Sequence, residues 1–338
     1  MKKNVTISQI AKESGVSVST VSRVLNNKPD VLPETRERIL QVIDTHNFHA
    51  SAQARGIVNR RSNTIGMVIA HDVEYVFMNQ YYTQVLQGVI QEAQRRGYYV
   101  LTLYCRDVLE AMDAYQQQRI DGILLVSPTV DHKPAVEMLL KNEVPLVCVG
   151  TFPYCKGVPC VETDDYRGAV LAMDYLFAEG HRRIAYIGGP GKVPSTVDRN
   201  HAYLNKMAEH GCQVLPGMLH KSDGVLDSTR AVKEILREVP DVTAIFAASD
   251  FVAIGAINAL QSEGIRVPED ISVVGFDDVP MAAQFVPKLT TIRQSSDLKG
   301  SRAAGVLIDW LETGEPPREH YIVHTDLIVR DSVLNLKV

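Results

Sequence analysis

The stretch VTISQIAKESGVSVSTVSRVLN, residues 5–26, decides how the N-terminal part of this chain is read. Thr6 stands where a side-chain oxygen N-caps a helix over residues 6–13, and Ile7, Ile10 and Ala11 recur at helical spacing as its inward stripe. Gly15 stops that helix. Ser17 caps a second one, whose inward positions are Val21, Val24 and Leu25, and the run Asn26, Asn27, Lys28, Pro29, Asp30 ends it. A third helix is expected from Pro33 or Glu34 to Thr45, with Pro33 near its first position and Ile39, Leu40, Val42 and Ile43 as its apolar face. The result is a small three-helix bundle that contains a helix-turn-helix.

The second helix of such a motif enters the major groove of DNA, with its N-terminal half against base edges. Val18, Ser19, Ser22 and Arg23 fall on the outward side of that half. Arg23 has the planar fork that matches guanine, whereas Val18 offers only apolar contact, such as a thymine methyl. Thr20 and Ser22, with the amides at the helix start, suit phosphate. Thr6, Ser17 and Asn26 complete the candidate DNA-contacting set in this region. The alternative is an ordinary bundle whose exposed serines and arginine do nothing.

Charge supports the first reading. The whole chain carries a formal net charge of −5, yet residues 1–62 hold ten basic side chains against five acidic ones, so the remainder is strongly acidic. A basic head on an acidic body is the electrostatic footprint of a small domain made to meet phosphates.

From Ile65 onward the texture changes to short apolar runs, at 65–70, 98–104, 122–126, 146–149, 184–187, 244–247 and 271–274. Amphipathic segments intervene at roughly 80–96, 108–118, 133–141, 165–180, 197–210, 227–237, 250–263 and 296–313. This alternation predicts a doubly wound α/β body with two parallel sheets of about five or six strands each. The start Met1, Lys2, Lys3 is followed by Asn4, Thr6, Ser8 and Gln9 rather than an apolar core, so no signal peptide is expected, and no apolar run approaches membrane-spanning length. The chain is expected to be cytoplasmic, with no membrane partner. Its five cysteines, 105, 148, 155, 160 and 212, form no C-x-x-C pair and read as reduced thiols, several of them in the core.

At this point the residues resemble a known family, that of the lactose and galactose repressors. Besides the helix-turn-helix, the resemblance rests on RIDGIL (119–124), GHRRIAYIGG (180–189), AIFAASD (244–250), VPEDISVVGFDD (267–278) and LTTIRQ (289–294), in family order over nearly the whole chain. It implies a head over 1–49, a hinge helix and linker over 50–62, and a body over 63–338 built like periplasmic sugar-binding proteins. The first lobe would take about 63–162 and 294–321, and the second about 163–291 and 322–338. A sequence-specific, DNA-binding repressor is implied, working as a homodimer on a pseudo-palindromic operator and controlled by a small molecule, a sugar or sugar derivative, bound between the lobes. The tail ending at Val338 is too short for a tetramerising heptad array, which favours the dimer. No cofactor or metal is implied.

The resemblance also places Ala54 and Ile57 of the hinge in the minor groove, Ile57 as the wedge at the central base step. Two helical turns are marginal alone in water, so the hinge is expected to be unfolded without DNA. Gly56 and the replacements Ala50 and Gln53 point to a weaker hinge than usual. In the body, Tyr82, Arg199, Asp250, Asp277 and Gln294 are implied around the effector. Arg199 would donate to adjacent hydroxyls, Asp277 would accept from others, and Tyr82 would stack on a ring face. Each has a structural alternative: Asp277 and Asp278 capping a helix at Val279, Tyr82 in the core, Asp250 as an N-cap. Gly150 stands where an acidic residue is common, and residues 222–225 lack a stacking aromatic, for which Tyr75 and Phe77 are candidate substitutes.

Two other function classes are weaker. Gly188, Gly189, Pro190, Gly191 and Lys192 follow a strand but miss the phosphate-loop spacing, with Val193 where Ser or Thr belongs, and read as a turn at the cleft. His181, Asp174 and Ser195 offer no spacing that supports a nucleophile and its base, so no enzyme is expected. A secreted solute-binding protein would lack the head and carry a leader.

Overall fold

The computed structural model describes residues 5–25, 29–46, 48, 61–105, 107–189, 191–222, 225–317 and 320–337. The chain divides into two compact units, Met1–Ser62 and Asn63–Val338.

In the first unit, α1 (Ile7–Ser14), α2 (Val18–Leu25) and α3 (Pro33–Thr45) close on a small core of Ile10, Ala11, Val21, Val24 and Ile39. Thr6 caps α1 by accepting from the Gln9 amide at 3.3 Å. Gly15 ends it at φ +66°, a left-handed conformation that glycine adopts at no steric cost. Ser17 accepts from the Thr20 amide at 3.2 Å and so starts α2. One expectation shifts: Leu40 is 48% exposed, because the stripe of α3 that meets its neighbours centres on Ile39.

The second unit contains two six-stranded sheets. Its elements run β1 (Thr64–Ile69), α4 (Val73–Met78), α5 (Gln80–Arg95), β2 (Tyr99–Leu103), α6 (Glu110–Gln116), β3 (Gly122–Val126), α7 (Lys133–Lys141), β4 (Leu146–Val149) and β5 (Cys160–Thr163). They continue with α8 (Asp165–Ala178), β6 (Ile184–Gly188), α9 (Pro194–Glu209), β7 (Leu219–Lys221), α10 (Val225–Glu238), β8 (Ala244–Ala247), α11 (Asp250–Ser262), β9 (Ser272–Asp277), β10 (Thr290–Arg293), α12 (Ser296–Thr313), β11 (Tyr321–Val323) and β12 (Asp326–Ile328). The first sheet has the order β11-β5-β4-β3-β1-β2 and is parallel throughout. The second has the order β12-β10-β9-β8-β6-β7, with only β12 antiparallel.

Each sheet is covered on both faces. Met67, Leu124 and Val147 face one apolar cluster of the first sheet, and Val68, Leu125 and Cys148 face the other. In the second sheet Ile245 and Val273 serve one cluster, Phe246 and Val274 the other. Burial on both sides explains why these strands are continuous apolar runs rather than alternating ones. All five cysteines are free, and Cys105, Cys148 and Cys160 are buried. No helix among the described residues is long and apolar enough to cross a membrane.

The structure differs from expectation in three respects. Residues 73–78, which fall between the expected strand at 65–70 and the expected helix at 80–96, form α4, which Asp72 caps by accepting from the Glu74 and Tyr75 amides. Strands β5, β7, β10, β11 and β12, each of three or four residues, were not anticipated, since such short segments carry little periodic signal. Asp277 and Asp278 cap no helix; the 3₁₀ turn that follows, Pro280–Ala283, begins after Val279.

Candidate functional site

In open α/β sheets, ligands bind beyond the carboxyl ends of the strands, where connections diverge to opposite faces. Here the carboxyl ends of both sheets meet at a single cleft. His71, Ser127, Gly150 and Asp165 line it just after β1, β3, β4 and β5. Gly189, Ser222 and Ser249 follow β6, β7 and β8, while Asp277 ends β9 and Gln294 follows β10. The same topology that builds the sheets therefore collects residues from the ends of nine strands, seven of them with polar side chains.

Arg199, on α9, is buried at the centre of these groups. Its Nε and Nη2 donate to Asp165 Oδ1 at 2.9 and 2.5 Å, and its Nη1 donates to the Ala248 carbonyl at 2.5 Å. The guanidinium also lies 3.6 Å from the ring centroid of Phe276, and Asp277 Oδ1 is 3.9 Å from Nη1. Three of its five N–H groups are thus committed, and the other two make no hydrogen bond among the described residues. Gln294 donates to Asp277 and accepts from Lys299 Nζ at 2.6 Å, and the Thr163 hydroxyl donates to Asp165 at 3.3 Å. Asp277 has φ +134°, a strained conformation for a residue with a side chain and one that clusters at ligand sites.

Tyr82 is buried and lines the cleft while also belonging to the core of the first sheet, so the two readings of it coexist. Its ring sits 5.7 Å from His71 and 6.0 Å from Tyr75, and Tyr75 makes an edge contact of 5.7 Å with Phe251 on the other lobe. Tyr75 thus reaches the cleft, whereas Phe77 is 61% exposed and packs on Tyr104 instead. Asp250, expected at the ligand, is absent from the lining: it is fully buried at the start of α11, accepting from the Thr291 hydroxyl at 2.5 Å and the Val279 amide at 2.9 Å. Nor does it cap α11, a role taken by Ser249. Asp165 and Lys299 are site residues the sequence reading missed. For Lys299 a signal existed, because it lies one turn before Ala303 on the inner stripe of α12, where apolar residues are the rule.

Burial, and then the charge of Asp277, raise the Asp250 carboxyl to about 8. Burial likewise raises Asp277 to about 6, held from going higher by Arg199, Gln294 and Lys299. Both exceed the ordinary value of 3.8, so the folded chain holds protons that the unfolded chain releases. The stabilisation is full in acid and is lost as pH rises through about 6 and then about 8. Asp250→Asn has no charge to bury; its one carbonyl oxygen can accept from the Val279 amide, and its NH2 can donate to the Thr291 hydroxyl in place of the bond Asp250 accepts there. Thermal melts across that range are expected to show a flatter decline for the variant, and an unchanged slope would contradict the assignment.

In the head, Ser17, Val18, Ser19 and Arg23 are exposed, and Thr20 and Ser22 half-buried. Thr6 and Ser17 act as helix caps. Arg23 faces Asp30 at 3.4 Å with both side chains more than half exposed, a pair too well solvated to hold the guanidinium from another partner. Asn26, Ala54 and Ile57, and with them residues 50–60 of the hinge and linker expected over 50–62, lie outside the described residues.

A helix-turn-helix head and a two-lobed body with a polar cleft at converging strand ends define a DNA-binding regulator of the kind that senses small molecules. Residues 6–51 match the bacterial regulatory proteins of the lacI family, and residues 173–333 match the periplasmic binding protein-like domain. The chain is 34% identical over 338 residues to the HTH-type transcriptional regulator CelR of Thermobifida fusca, covering 97% of this chain and 98% of that one. A solved CelR–cellobiose complex superposes with a TM-score of 0.75 at 30% identity, covering 97% and 99% of the two chains. The lac repressor dimer bound to operator and the anti-inducer ONPF gives 0.86 at 26% identity, covering 98% and 100%. The chain belongs to the lacI family of transcriptional regulators.

Proposed function

We propose that this chain is a cytoplasmic repressor that binds a pseudo-palindromic operator as a homodimer and is released or recruited by a carbohydrate held in the cleft, with no catalytic role. The observation that carries the effector reading is Arg199, anchored by Asp165 and the Ala248 carbonyl with two N–H groups to spare beside Asp277, Gln294 and Lys299. Donors and acceptors alternating at this density suit a polyhydroxylated ring, on which each hydroxyl both gives and takes. The cellobiose bound to CelR supports the same ligand class. An effector that binds one lobe arrangement better than another shifts operator affinity by its differential binding, and a coupling of about 1–3 kcal/mol corresponds to a change of roughly 5–150-fold.

The test of the DNA reading is an electrophoretic shift on the duplex upstream of the chain's own gene. Arg23→Ala is expected to weaken specific binding by about 1–3 kcal/mol and relax base preference at one position in each half-site, with the melting temperature unchanged. Unaltered operator preference would remove Arg23 from base readout. Failure of the wild-type protein to shift any such duplex, with or without sugars, would defeat the reading as a whole.

A further inference from the structure

The cleft does not end at Arg199. A second cavity, of about 560 Å³, adjoins it and shares His71, Tyr75 and Val193 with it. That volume lies within the range of about 300–1,000 Å³ typical of small-molecule sites. Its walls come from both lobes: His132 and Ala135 on one side, Lys192 and Val193 on the other. Lys192 Nζ bonds Asp131 at 2.5 Å, so an ion pair between the lobes forms part of the cavity wall.

The two histidines present complementary edges. His71 Nε2 lies 3.3 Å from the Ser127 carbonyl, which only accepts, so that nitrogen carries the proton and Nδ1 is left as an acceptor. His132 Nδ1 accepts from the Thr129 amide at 2.9 Å, so its Nε2 is left as a donor. Burial lowers the proton affinity of both rings, His71 more buried than His132, which keeps them neutral and in these tautomers. One acceptor and one donor in the wall of a cavity that also carries Ala70, Val108 and Ala135 match a hydroxyl-bearing ring.

Formal charge narrows the class further. Among the described lining residues, Asp72, Asp107 and Asp131 stand against Lys192 alone, and Lys192 is already paired. A phosphate or carboxylate here would face surplus negative charge.

Building on the reading of the first cavity as the effector pocket, we propose that the effector is a neutral disaccharide, one ring on Arg199 and Asp277, the second in the cavity between His71, His132 and Ala135.

The experiment is calorimetric titration of the full chain with cellobiose, maltose, lactose and melibiose, with glucose and galactose as their constituents, and with glucose 6-phosphate and glucuronate. At least one disaccharide is expected to bind about tenfold or more tightly than either of its constituent monosaccharides. Ala135→Phe, which fills the second cavity, is expected to reduce that disaccharide to monosaccharide level and leave the monosaccharides as they were. His132→Ala, which adds no bulk to the helix, should lower the disaccharide preference in the same direction. A monosaccharide that binds as tightly as every disaccharide, or a phosphorylated or carboxylated sugar that binds best, overturns the two-ring proposal while leaving the effector pocket standing. Absence of binding by every sugar overturns both.

Discussion

Arg199→Ala is expected to lose the effector response entirely and to be clearly less stable than the parent chain. Both effects follow from the same side chain. The guanidinium neutralises Asp165 and, at 3.9 Å, Asp277, all with side chains less than a tenth exposed. Removing one partner of a buried ion pair leaves the other charge uncompensated, which costs about 3–5 kcal/mol. The two N–H groups left for the ligand are charge-assisted donors worth about 1.5–3 kcal/mol each, so their loss weakens binding by roughly a hundredfold or more. Arg199→Lys separates the two roles. An ammonium still balances the carboxylates but has no planar fork, so it should recover much of the melting temperature and little of the sugar response. If the lysine variant responds to effector like the parent, Arg199 is a structural cation rather than a ligand-binding one.

The second large effect concerns two helices. Helices α5 and α12 cross so closely that a Cβ on Gly88 would meet the Asp297 carbonyl oxygen at 1.8 Å, and one on Gly300 would meet that of Val85 at 2.1 Å. These neighbours are backbone and cannot swing away. Gly88→Ala is therefore expected to destabilise the body by about 3 kcal/mol or more. For a domain of this size that corresponds to a fall of roughly 6–12 °C in melting temperature. Gly305, on the same helix α12, provides the contrast. Its nearest neighbour would be the flexible end of Glu92 at 3.5 Å, an ordinary contact. There alanine should stabilise by up to about 1 kcal/mol, through helix propensity alone. Opposite signs for one substitution on one pair of helices are the expected result; equal effects at the two sites would mean that the crossing distance does not matter.

How much of this was readable in the residues varies by element. Helices at 133–141 and 296–313 are found where periodicity placed them, and the three head helices sit where Thr6, Gly15, Ser17 and Pro33 punctuate the chain. Those signals are local, with cap and stripe lying within a few residues. Strands β7 and β12 escaped notice because they are edge strands whose side chains are half-exposed or exposed, His220 and Asp326 included, so no apolar run marks them. The cleft was legible in part. Tyr82, Arg199, Asp277 and Gln294 do gather there, whereas Asp250 turns to Thr291 and Val279.

The class of both units follows from local signals, since helical and strand periodicity, capping residues and the basic bias of residues 1–62 are properties of neighbouring residues. Which side chains meet in the cleft is set by long-range packing. Asp165 and Arg199 are 34 positions apart, and Lys299 and Tyr81 lie on helices brought together by two glycines. Strand order and helix crossing set those encounters, and both depend on the packing of the whole sheet rather than on any segment within it.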